Sequence, residues 1–132
     1  MLEKYTLDEN DFEYPGFGKG LMKRFVAAKD LSFRAGFWKL NPGDSSEDTY
    51  WVHEFLYVRS GKGRYTCESS RWNPEKKTFE AEQGDVIYIQ KGSKWSVECI
   101  SNEPHILFYV AVPASAQGLD YEFFPVTKDK PI

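Results

Sequence analysis

Apolar residues in this chain recur at steps of two, in short runs that end on glycine, proline or asparagine. Phe33-Arg34-Ala35-Gly36-Phe37-Trp38-Lys39-Leu40 is rich in aromatics and stops at Asn41-Pro42-Gly43-Asp44, a turn sequence. A second run extends from Tyr50 to Arg59 and ends at Ser60-Gly61-Lys62-Gly63. Arg64 to Glu68 alternates, with Tyr65 and Cys67 on one face and Arg64, Thr66 and Glu68 on the other. Ser69 to Lys77 is polar, holds Asn73-Pro74, and reads as a hairpin loop ahead of a short strand, Thr78 to Ala81. Gln83-Gly84-Asp85 turns the chain into a buried strand, Val86-Ile87-Tyr88-Ile89, and Lys91-Gly92-Ser93 turns it again. Trp95 to Ile100 alternates, with Trp95, Val97 and Cys99 together. Asn102-Glu103-Pro104 then precedes a near-continuous apolar strand, Ile106 to Val112. No stretch of ~12 residues repeats its apolar positions at helical steps behind a cap. Seven or more short strands at ~8–12-residue spacing predict an all-β sandwich or barrel. The first ~25 residues and the tail after Pro113 are less regular and read as N- and C-terminal arms that cover the barrel or pair with a partner.

Composition narrows the class. With 132 residues the chain is one domain's worth. Ten Phe, eight Tyr and four Trp make 17% of it aromatic, which excludes disorder as the main state. No run of ~18 apolar residues is present, so no transmembrane helix is expected. The start, Met1-Leu2-Glu3-Lys4-Tyr5, lacks the apolar stretch of a signal peptide, and a cytoplasmic location is the expectation. A net charge of −3 argues against a nucleic-acid partner. Cys67 and Cys99 are expected as reduced thiols. Dinucleotide, P-loop, nucleophile-elbow and HExxH signatures are absent. Gly16-Phe17-Gly18-Lys19-Gly20 reads as a flexible turn.

Two blocks, Glu54-Phe55-Leu56-Tyr57-Val58-Arg59-Ser60-Gly61 and Gly84-Asp85-Val86-Ile87-Tyr88-Ile89-Gln90-Lys91-Gly92-Ser93-Lys94-Trp95, resemble the two signature motifs of the cupin superfamily. Those run H-x-H-x3-E-x6-G and G-D-x4-P-x-G-x2-H. Glu54 to Gly61 keeps the first motif's Glu-to-Gly interval, and Gly84-Asp85 with Gly92 keeps the second's frame. The resemblance covers roughly residues 33 to 112. It implies a single-domain jelly-roll β-barrel over residues 1–132, often a homodimer, with a site in the barrel mouth. The segments HEFLYVRSG and LFYVAVPA are similar to those of the ethanolamine-utilisation-type cupins, which also lack the histidine set. Here the three motif histidines fall on Asp48, Tyr50 and Trp95, and the motif proline on Gln90. The indole of Trp95 has no lone pair to give and a phenol rarely ligates a divalent ion, so the resemblance implies the fold without the metal.

On strand parity Asp48, Tyr50, Val52 and Glu54 share one face, the one a cupin turns inward, with His53 outward. Glu54 in an aromatic pocket suits general acid or base work, or it pairs with an interior Arg, Lys or Tyr. Tyr50 could donate a hydrogen bond to a substrate oxyanion, and Trp95 could stack on a ligand or fill space. Asp48 is either a ligand contact or a solvated loop acid. Arg34 and Lys39 flank Phe37 and Trp38, and either could anchor an anion if it points inward; Trp38 and Arg34 join the candidate substrate-binding set. The expected function is binding of a small molecule without a metal cofactor, with proton-transfer chemistry of isomerase, epimerase, dehydratase or cyclase type at Glu54 and Tyr50. One alternative is a non-catalytic, dimeric binding module. Another is a metal-dependent cupin with a substituted shell, such as Asp48, Glu54 and a neighbouring histidine, around a divalent transition metal. No membrane partner is expected.

Overall fold

The computed structural model describes residues 2, 4–12, 21–27, 33–49, 52–69 and 76–112. Tyr50, the glycine-rich turn at 16–20, most of the hairpin loop before Lys76 and the tail from Pro113 onward lie outside the described residues. Nine strands make two antiparallel sheets: β1 (Leu21–Ala27), β2 (Arg34–Leu40), β3 (Ser45–Thr49), β4 (His53–Ser60), β5 (Gly63–Ser69), β6 (Lys77–Ala81), β7 (Val86–Ile89), β8 (Lys94–Cys99) and β9 (His105–Val112). The five-stranded sheet runs β1-β2-β9-β4-β7 and the four-stranded sheet β3-β8-β5-β6. The chain crosses between sheets repeatedly, which is the jelly-roll arrangement. Among the described residues no helix is long and apolar enough to cross a membrane.

The strands that alternate in sequence alternate in burial. Leu56 and Val58 of β4, Trp95 and Val97 of β8, Ile87 and Ile89 of β7, and Leu107 and Tyr109 of β9 meet in one core between the sheets. Turn chemistry fixes where strands stop. At the end of β2, Asp44 N–H donates to the Asn41 carbonyl, Asp44 Oδ2 accepts from Asn41 N–H, and Gly43 takes a φ of 84°.

Two expectations need correction. Asp48 and Glu54 do not share one strand: Asp48 lies on β3 of the four-stranded sheet and Glu54 on β4 of the five-stranded sheet, so the chain crosses over ahead of β4, and the run expected from Tyr50 is strand from His53 onward. Parity therefore does not carry from Asp48 to Glu54, and the acidic stretch before the crossover is an edge strand rather than a loop. Ser-Ser-Glu-Asp-Thr is a poor strand former with no apolar alternation; pairing with β8 makes it one, and an edge tolerates its charge. Likewise the N-terminal region is not wholly irregular, because β1 pairs along β2 with a register shift between Arg24 and Val26. That shift breaks the two-residue period that reveals a strand in sequence.

Candidate functional site

The inner face of the five-stranded sheet begins, at one end, with a row of three residues. Arg34 on β2 and Glu54 on β4 are both register partners of Ala111 on β9, the strand between them. Both side chains are buried, at 5% and 4% exposure. Ala111 is small, so a cation and a carboxyl flank a low point two strands, or ~10 Å, apart. The guanidinium carbon of Arg34 lies 6.0 Å from the ring centre of Tyr109, which shares the core. Arg34 thus points inward. Lys39, five residues on, has the opposite parity: its Nζ donates to the Glu9 carbonyl at 3.4 Å and lies 5.5 Å from the ring centre of Phe12.

Facing this end on the four-stranded sheet is a second row, Asp48 on β3, Trp95 on β8, Cys67 on β5 and Lys77 on β6. Trp95 is buried and packs edge-on against Trp38 at 6.2 Å. It also lies 14° from parallel with Tyr65 at 6.1 Å, and Tyr65 lies 15° from parallel with Phe79 at 5.5 Å. Three aromatic side chains therefore stand side by side along one wall.

The edges of the two sheets, β6 and β7, do not pair, and a slot of about 300 Å³ opens there. One wall is Trp95, Tyr65, Cys67 and Phe79; the other is Ile87 and Ile89. Gln90, Ser93 and Lys77 also line it. Glu54 is the register partner of Ile89 and so sits one strand behind this wall, outside the slot lining. Trp38 is a core residue behind Trp95. Asp48 is placed by its backbone opposite Trp95, and Tyr50 lies outside the described residues. The candidate set was thus divided: Trp95 lines the slot, while Arg34, Glu54 and Trp38 form the packed ground beside it. Sequence reading missed Lys77, Phe79 and Gln90, and gave Cys67, a reduced thiol, no part in the site; only cross-strand register brings them to one place. A larger hollow of about 490 Å³ lies on the outer face of the four-stranded sheet, where Glu47, Arg64, Thr66, Ser96 and Glu98 face solvent. It is shallow, and Arg64 there is tied to Glu80 at 3.5 Å.

At the opposite end of the barrel lies a buried polar pair. His105 is fully buried, and its Nδ1 faces the Ser60 carbonyl at 3.1 Å. That carbonyl can only accept, so Nδ1 carries the hydrogen. Nε2 then accepts the hydrogen bond from the Tyr65 hydroxyl, 2.6 Å away. Burial pushes the His105 pKa down, partly offset by the backbone of Ser60 and Gly61. Burial, and then the Cys99 thiol, push the Tyr65 phenol up. Both groups stay neutral at pH 7. His53, the other histidine, faces outward as expected; its Nδ1 meets the Tyr88 hydroxyl at 2.8 Å, and burial with Lys91 nearby lowers its pKa.

The motif glycines and aspartate serve the backbone. Gly61, with a φ of 69°, lies so close to Pro104 that a Cβ would strike its carbonyl. Asp85 Oδ2 accepts from Glu82 N–H at 2.8 Å, while the Asp85 carbonyl accepts from Val58 N–H at 2.9 Å, tying the turn before β7 to β4. Of the motif's metal positions, Trp95 cannot ligate a metal. Trp95 offers no donor and packs between two aromatic side chains, and the described residues hold no cluster of three or more His, Cys, Asp or Glu side chains able to ligate one.

This jelly roll, with its slot between unpaired sheet edges, agrees with what known proteins show. The cupin-domain family model matches residues 36–111, more than half of the chain, and the chain belongs to the cupin family. The cupin domain of Schizosaccharomyces pombe Cnp3 is similar in structure, with a TM-score of 0.69 at 17% identity over 83% of this chain and 73% of that one. A putative ethanolamine utilization protein Q from Salmonella typhimurium has a TM-score of 0.58 at 26% identity, over 72% of this chain and 70% of its own. A Cupin 2 conserved barrel domain protein from Salinispora arenicola has a TM-score of 0.64 at 20% identity, over 86% of this chain and 91% of that one. No curated protein sequence matches the chain.

Proposed function

We propose that this cupin binds a small organic molecule in the slot between β6 and β7. The observation that carries the reading is a cavity of about 300 Å³ with an aromatic wall on one side and an isoleucine wall on the other. Concave, mostly apolar sites with a few placed polar groups are where small ligands bind, and ~300 Å³ is the lower end of their size range. Binding here needs no metal, because the walls and the polar groups of Gln90, Ser93 and Lys77 supply the contacts.

The test is a thermal-shift screen of a small-molecule library. A slot ligand at ~100 times its Kd adds ~2.7 kcal/mol of stability, which raises the unfolding midpoint by several degrees. Cys67→Trp places an indole in the slot, so the same compounds are expected to leave that variant's midpoint unmoved. Compounds that stabilise Cys67→Trp as much as the wild type overturn the slot as the site.

The buried Glu54 carboxyl favours a second reading, proton transfer on the bound molecule. Glu54 is next to Ile89 of the slot wall and in the same row as Arg34, so a small side-chain shift of Ile89 joins it to the ligand. Glu54→Gln keeps the shape and removes the base. On this reading the variant binds the ligand as the wild type does, while turnover falls by ~100-fold or more. Undiminished turnover in Glu54→Gln removes Glu54 from the chemistry.

A further inference from the structure

We infer that the slot's ligand is a planar aromatic carboxylate, an inference that rests on the slot being a small-molecule site. Shape comes from the walls. Phe79, Tyr65 and Trp95 stand within 15° of parallel with successive neighbours, at 5.5 and 6.1 Å. A flat ring extends such a series by offset stacking or edge contact, and a puckered ring does so poorly. The isoleucines opposite give an apolar second wall that takes ring area without asking for hydrogen bonds.

Charge comes from the rim. Lys77 stands in the row Trp95, Cys67, Lys77, two strands from the indole, or ~10 Å. Its side chain is exposed at the slot, and it forms no ion pair among the described residues. Two nearby cations are occupied, since Lys62, just before β5, pairs with Glu80 and Glu82, and Arg64 on β5 pairs with Glu80. Among the described residues no aspartate, glutamate or histidine lines the slot, so a bound cation would meet Lys77 with none of them to compensate it. Among the described residues a polyol would find Gln90 and Ser93 as neutral side-chain partners, with Thr66 turned to the outer face, too few for a ring bearing a hydroxyl on most carbons. A carboxylate on a flat ring meets both conditions: the ring lies between the walls and the anion accepts from Lys77 Nζ. About 300 Å³ equals roughly ten water volumes at ~30 Å³ each, the room of a one- or two-ring molecule.

The experiment measures the binding of three probes of nearly equal size, by calorimetry and by tryptophan emission: 2-naphthoate, its neutral amide 2-naphthamide, and the saturated decalin-2-carboxylate. The expected result is that 2-naphthoate binds at least tenfold tighter than either of the others. In Lys77→Met, whose exposed position leaves folding intact, naphthoate affinity falls to that of the amide. Equal affinity for naphthoate and naphthamide overturns the anion, equal affinity for the decalin acid overturns the ring, and binding of none overturns the class as a whole. Alkylation of Cys67, followed by mass spectrometry, separates this failure from that of the site itself. If the amide or the decalin acid protects Cys67 as well as naphthoate does, the slot stands and the ligand class falls. If naphthoate binds and leaves Cys67 alkylation unchanged, both fall.

Discussion

Tyr65 shows how one side chain joins the fold to the site. Its ring is the middle member of the slot's aromatic wall, and its hydroxyl reaches the other way, to His105. The hydrogen bond at 2.6 Å satisfies a fully buried imidazole nitrogen. Tyr65→Phe keeps the wall and leaves Nε2 buried with no donor from position 65, at a cost of ~1–3 kcal/mol in denaturant unfolding. A loss below ~0.5 kcal/mol would show that the pair does not hold the barrel end together. The same pair sets a pH dependence. The folded pKa of His105 lies below its unfolded value of ~6.5, so the unfolded chain takes up the proton first. The stability is therefore fully present above ~pH 6.5 and is lost as pH falls below it, and His53, lowered as well, acts with the same sign. Unfolding midpoints measured from pH 7.5 down to 5 are expected to fall, and a flat profile contradicts the assignment. None of this pairing was legible in the sequence, where the two histidines have no spacing that links them. It exists only because Gly63, two residues before Tyr65 on the same face of β5, has no Cβ to occupy the space that the His105 ring fills.

Strands with one face in the core announced themselves. The ends of β2, β7 and β9 fall within a residue or so of where alternation and turn residues predict them, because burial enforces the two-residue period. Two of the edge strands, β1 and β3, did not. β1 carries a register shift, and β3 is Ser-Ser-Glu-Asp-Thr, held by β8 alone. Missing β3 had a consequence for the site: Asp48 and Glu54 were placed on one strand, whereas they stand in different sheets. Gly61 and the Gly84-Asp85 pair were legible as motif residues, and the structure gives their physical reason, a close backbone approach to Pro104 and a turn laced to β4. Trp95 was legible as a candidate from its motif position, and it lines the slot. Lys77 and Phe79 were not: the hairpin before β6 was legible, but the register that sets Lys77 against Cys67 and Phe79 against Tyr65 leaves no trace in the local pattern of either strand.

For the molecule as a whole, the outer faces of the two sheets differ. The four-stranded sheet presents charges and hydroxyls, whereas the five-stranded sheet exposes Phe55, Tyr57, Val86 and Tyr88, the last at 51%. Phe55 and Tyr88 stack at 5.0 Å, and His53 stacks on Tyr88 at 5.9 Å, so these rings are ordered before any contact. The neighbouring part of the same face is approached by the chain's own Glu9 and Phe12 at Lys39, and the described residues leave the rings of the β4–β7 part exposed. Ordered, exposed aromatics of this kind mark interfaces, and we propose a second copy of the chain as the occupant. Sedimentation is expected to give twice the chain mass for the wild type and the chain mass for Phe55→Glu; a monomeric wild type contradicts the homodimer. Cys67 reports directly on the slot. Cys67 lines the slot and is half-buried, whereas Cys99 is buried in the core. The measurement is the rate of Cys67 alkylation with and without a compound that raises the unfolding midpoint. The account predicts that Cys67 reacts in the free protein and is protected in proportion to occupancy. A stabilising compound that saturates the protein while Cys67 reacts at its original rate would contradict it.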